Sequence, residues 1–168
     1  MSPNLPDQLD PWRMVNQRRV FEGAVPLSKL TRLSSLLTDT EGEVRYTLAF
    51  DTDTLRVPHA AISMTAELPL ECQRTLQRFL LPVQVEQRVA LIRDEAEEDA
   101  LPPGYEAQLV EHDALDPLAL LEDELILAVP AVPVMPGTDE MSADWLPEAE
   151  VVEATNPFAA LKALKKEI

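Results

Sequence analysis

Three consecutive carboxylates, Glu122, Asp123 and Glu124, stand inside an otherwise apolar stretch. Such a group can serve as an acidic docking patch or as a paired acid–base site. It can equally be the solvated face of an amphipathic helix. Three successive helical residues span about 200° of the circumference, so all three cannot face water on a covered helix. At least one is expected to lie at a boundary and find a partner, such as an arginine of a neighbouring sheet. Other reactive groups are sparse. Cys72 is the lone cysteine and falls in a turn between two expected strands. No positioned histidine is visible to activate it, so a packed thiol is expected. His59 enters a strand after Pro58, and His112 lies between Glu111 and Asp113 in what reads as a solvated loop. Neither histidine has a second one at metal-ligand spacing, and the three or four ligands of a zinc site cannot be assembled. The arginines Arg74, Arg78 and Arg88, with Arg93 beyond, gather on one expected hairpin. They are candidates for phosphate contact, or for pairing with the acidic second half.

The elements that must hold these groups follow from periodicity. Residues 43–51 alternate, with Val44, Tyr46, Leu48 and Phe50 on one face, as a strand does. Residues 60–70 and 79–91 repeat the pattern, joined by a connection that holds Cys72 and Arg74. Residues 20–25 suit a short strand and residues 106–112 one more. Pro69 and Pro82 cannot donate to a ladder and should face an unpaired side. Residues 26–37 place Leu27, Leu30, Leu33 and Leu37 at helical spacing. Asp10-Pro11 opens a helix over residues 12–19, and Asp116-Pro117 opens another to about Val129, each by an Asp cap followed by Pro. Residues 125–134 also suit a strand, since short apolar runs are ambiguous. One-sided alternation implies an antiparallel sheet with one solvated face and a helical cover on the other.

The chain has 168 residues and a formal net charge of -16. Residues 1–93 hold 11 basic and 11 acidic side chains, whereas residues 94–168 hold 3 and 19. Residues 94–161 contain no Lys or Arg. Phosphate binding needs such cations to displace counterions, so the second half is not expected to touch nucleic acid. It is suited to a basic partner. Aromatics are 5% of the chain, which requires an aliphatic core, and four glycines against 15 prolines argue against a glycine-rich nucleotide loop. One cysteine excludes an internal disulfide and fits a reducing compartment. The first ten residues lack an apolar signal core, and no apolar run nears the ~20 residues of a membrane span. A cytoplasmic protein without membrane contact is expected. Residues 136–155 are acidic and aperiodic and read as a flexible linker. Asn156-Pro157 then opens a short amphipathic helix, with Phe158 and Leu161 on its apolar face and lysines near its end. The expected organisation is an α+β domain over residues 1–135, a linker over 136–155 and a helix over 156–168.

Several of these segments together resemble the YceD family. They are the turn Leu70-Glu71-Cys72-Gln73-Arg74-Thr75, the helix LALLEDELILAVP over residues 118–130, and Asn156-Pro157-Phe158-Ala159 before a short basic helix. Order and spacing match over roughly residues 12–166. The resemblance implies a role in accumulation of large-subunit (23S) ribosomal RNA. Many relatives have a second cysteine where this chain has Thr75, and a later His and Cys that complete an apparent zinc site. Here no Cys follows Cys72 and no His follows His112, so neither metal nor other cofactor is expected. The implied role is that of a non-enzymatic ribosome biogenesis factor. Its partner would be a basic ribosomal protein or assembly factor, bound through Glu122, Asp123 and Glu124 and through the helix of Asn156, Pro157, Phe158 and Leu161. The alternative is direct binding or processing of rRNA by Arg74, Arg78 and Arg88.

Overall fold

The structure, a computed structural model, describes residues 5–137. The chain divides into a unit of Met1–Met135 and a second of Pro136–Ile168; the linker and the helix bearing Asn156, Pro157, Phe158 and Leu161 lie outside the described residues.

The first unit is an α+β fold. Helix α1 (Pro11–Asn16) is capped by Asp10, whose side chain accepts from the Arg13 amide at 3.0 Å. It stops short of the expected Arg19 because Arg18 takes a left-handed φ of 48°, which ends helical propagation. Strands β1 (Val20–Pro26), β2 (Glu43–Thr52), β3 (Pro58–Glu71) and β4 (Arg78–Ile92) follow in order, each antiparallel to the last. Their alternating side chains drive this arrangement: Val44, Tyr46, Leu48 and Phe50 are buried, and Arg45 on the opposite face is exposed. Gly23 lies opposite Tyr46, and a Cβ there would meet the phenol oxygen at 2.9 Å, so glycine lets the ring lie flat on β1. Pro69 meets the expectation for strand prolines. Its carbonyl accepts from the Thr38 amide rather than from β4, so its nitrogen also faces away from that ladder.

Strand β5 (Glu106–Leu109) joins the outer edge of β4 in parallel, opposite residues 89–92 only. The sheet is therefore mixed. A parallel neighbour needs a crossover; here the acidic loop with a 3₁₀ segment at Glu95–Ala100 provides it. The helix expected over residues 26–37 differs. Residues 26–37 form a 3₁₀ turn (Leu27–Lys29) and a four-residue α2 (Thr31–Ser34), broken at Leu30. Leu27, Leu30 and Leu33 still enter the core. Helix α3 (Pro117–Ala128) begins as expected, with Asp116 accepting from the Ala119 amide at 2.9 Å. No strand forms over residues 129–137. Leu120, Leu121 and Leu125 of α3 join the aliphatic core between helix and sheet. Each such leucine contributes roughly 1.5–3 kcal/mol by leaving water.

Candidate functional site

The three α3 carboxylates occupy three different environments. Glu122 is buried and accepts three hydrogen bonds at α2. Its Oε1 takes the backbone amides of Arg32 (2.7 Å) and Leu33 (3.0 Å), and its Oε2 takes the Arg32 Nε at 2.9 Å. Helix α2 has no side-chain cap of its own, so Glu122 caps it from 90 residues away. Desolvation is the largest influence on this carboxyl and would raise it. The Leu33 amide, the Arg32 side chain and the Arg32 amide outweigh it and hold the group below its ordinary value. Asp123 is exposed and takes the Nη1 of the same guanidinium. The Arg32 Nη2 closes the clamp on the Ala119 carbonyl at 3.1 Å. The partner arginine thus comes from α2, which packs against α3, and not from the sheet, which corrects the expectation.

Glu124 is different. It is 8% exposed, and among the described residues no donor lies within hydrogen-bond reach of it. Desolvation raises its pKa first, then repulsion from Glu106 and Asp123. Among described residues the only fully enclosed side-chain polar atom without a partner is the Trp12 Nε1, so the Glu124 oxygens keep a sliver of solvent access.

The arginines do not form one patch. Arg78 and Arg88 point to the same open face of β4 but sit ten positions apart, about 33 Å along the strand. Arg78 is bound by Asp39 (2.6 Å) and Glu41 (3.3 Å). These acids belong to the balanced first half, not to the acidic second half. Arg88 lies beside Tyr105. The Tyr105 hydroxyl donates to Asp53 at 3.0 Å, and its ring meets the buried His59 edge-on. This cluster ties the β2–β3 turn to the crossover loop. Arg93 stacks over Trp12 at 4.3 Å. Arg74 is exposed in the β3–β4 turn.

Cys72 is fully buried in that turn. Its Sγ accepts the Met135 amide at 3.3 Å, and the Gln73 amide donates to the Pro133 carbonyl at 2.9 Å. The turn therefore pins the segment that follows α3. The Met135 amide foremost, then the Thr75 hydroxyl, with the Thr75 and Arg74 amides, pull the thiol down to about 6 against desolvation. A zinc knuckle does not fit here: one sulfur and the Thr75 hydroxyl are not the donor set of a structural zinc. Among the described residues no three His, Cys, Asp or Glu side chains gather as ligands would. His112 is exposed with a left-handed φ of 54°. No described helix is long and apolar enough to cross a membrane.

A mixed five-stranded sheet with an acidic helix clamped beside it defines the class: an α+β protein with a polar anchor between α2 and α3. Comparison with known proteins narrows this. The family described as "Large ribosomal RNA subunit accumulation protein YceD" matches residues 60–165. A Haemophilus influenzae protein of that same name is 30% identical over 169 aligned residues, spanning 96% of this chain and 97% of the relative. The chain belongs to the YceD family. No solved structure matches it. The clamp at Arg32 was not visible to sequence reasoning. Its signal was a capless turn beginning at Thr31 and an unmatched carboxylate in α3, each meaningful only once the two are in contact.

Proposed function

We propose that this protein supports accumulation of large-subunit ribosomal RNA indirectly, as a cytoplasmic, non-enzymatic factor that binds a basic ribosomal protein or assembly factor. The observation that carries the reading is the contrast between its charges. The carboxylates of Glu95–Ala100 are exposed within a stretch holding no Lys or Arg, while Arg78, a candidate RNA contact, is already neutralised by Asp39 and Glu41. An acidic surface steers a basic protein and repels phosphate. The Haemophilus relative bears a name that speaks of large-subunit rRNA accumulation, which supplies the process. The α3 clamp is a scaffold in this reading: Arg32 holds Glu122 and Asp123, and Glu124 stays available.

The test is a sucrose-gradient profile of cells with and without the gene, with tagged protein located across the fractions. Loss of the gene is expected to lower large subunits relative to small ones, with the protein in light fractions or with immature large particles. Unchanged large-subunit levels would sink the reading.

A further inference from the structure

Strand β4 is only partly covered on its outer side. Residues 78–88 pair with β3, and β5 begins opposite Val89, so among the described residues no strand lies against the edge of 78–88. Burial follows that boundary except at Phe79, which is buried at the turn end of the strand. Val89 and Leu91, beside β5, are 3% and 2% exposed. Leu81, Val83 and Val85, on the same core-facing side, are only half-buried. Apart from Pro82, which has no N–H to offer, this edge presents open amides and carbonyls beside a half-covered apolar side, a template for one more strand.

A second, independent observation lies at the end of this edge. Glu106 is the first residue of β5, beside Val89, where the free edge starts. Among the described residues Glu124 is buried without a donor, and the charges acting on it are those of Glu106 and Asp123. A desolvated carboxylate without a counter-charge is unfavourable, and a cation brought between Glu124 and Glu106 would relieve it.

We propose that a protein partner adds an extended, Lys- or Arg-bearing segment to the β4 edge as a strand, with its cationic side chain seated between Glu124 and Glu106. The inference rests on the reading of a basic protein partner and names the surface that takes it. Backbone pairing along the edge supplies affinity, the half-buried Leu81, Val83 and Val85 accept apolar side chains of the added strand, and the acidic pair sets register. A second copy of this chain suits the edge poorly. It would bring another net charge of -16 and the same two carboxylates to the same place. Glu122 and Asp123 take no part, because Arg32 already occupies them.

The experiment places a photocrosslinking p-benzoylphenylalanine at Gln84, exposed on β4, in the full chain. The probe is the RNA-free mixture of large-subunit ribosomal proteins, and crosslinked peptides are mapped by mass spectrometry. The expected product joins Gln84's position to a peptide with a Lys or Arg about five residues from the attachment point, the distance from Gln84 to Val89 along the strand. Glu124→Gln and Glu106→Gln are each expected to lower its yield about fivefold, the loss of one close charge pair. Glu22→Gln, the same charge change at an exposed position of β1 on the opposite edge of the sheet, should leave it unchanged. Thermal melting of Glu124→Gln at or above the parent's temperature certifies its fold. Crosslinks to residues 138–168 of the same chain, or to a second copy, would overturn the proposal. So would a yield indifferent to Glu124→Gln: if basic proteins are still captured in a salt-sensitive way, the edge assignment alone falls. Capture of no ribosomal protein by any surface would overturn both this proposal and the functional reading.

Discussion

At the scale of single residues, neighbouring carboxylates have opposite effects on stability. Glu122 has a folded pKa below its ordinary value, so its stabilising contribution is present above about pH 4.3 and is lost as pH falls through the folded value. Glu122→Ala also strips the cap from α2 and leaves two amides unpaired. The expected cost is about 2–4 kcal/mol, read by urea denaturation at pH 7. The difference between parent and variant should shrink below pH 4. A constant difference down to pH 3 would show that the charge is irrelevant there. Glu124 has a folded pKa above its ordinary value, so its contribution is favourable only in acid and is lost as pH rises through that value. Glu124→Gln should therefore melt higher than the parent at pH 8 and lose that advantage near pH 4. A lower melting temperature at pH 8 would mean that Glu124 has a stabilising partner in the free protein.

Elements show what local sequence encodes and what it does not. The strands were legible because alternation is local: residues 43–51 and 60–70 carry their own two-residue period, and the ladders simply extend it. The caps Asp10 and Asp116 were legible for the same reason. The break at Leu30 was not, because the group that caps α2 is Glu122, distant in sequence and brought there by tertiary packing. Nor was the parallel direction of β5, which depends on how the crossover loop returns. Of the candidate site, the need for a partner among the three carboxylates followed from helix geometry, but its identity as Arg32 did not. The β3–β4 turn makes a further prediction. Cys72 has no exposed surface, so an aromatic disulfide reagent should modify it slowly in the native protein and at once in 6 M guanidinium chloride, where ~6 M unfolds nearly any domain of this size. Rapid native modification would contradict the packed turn. Because its folded pKa lies below that of a free thiol, its contribution is present above about pH 8.5 and lost as pH falls through about 6.

For the molecule as a whole, charge is divided along the chain rather than balanced within it, and the fold makes that division consequential. Several arginines of the balanced half are engaged by acids, as Arg32 is by Glu122 and Asp123 and Arg78 by Asp39 and Glu41. Among the described residues, the carboxylates of Glu95–Ala100 and the buried Glu124 have no such cation. On the proposed reading, a protein of this kind gains little from RNA and much from a basic partner. The most direct test is a comparison of affinities for RNA-free large-subunit ribosomal proteins and for naked 23S rRNA fragments, measured across a salt series. The expected result is binding to a basic protein that fades near ~0.5 M salt, where the Debye length falls to about 4 Å, with rRNA bound weakly and indifferently to Arg78→Glu. Tight, salt-dependent binding to the rRNA fragments that Arg78→Glu or Arg88→Glu abolishes would contradict the account.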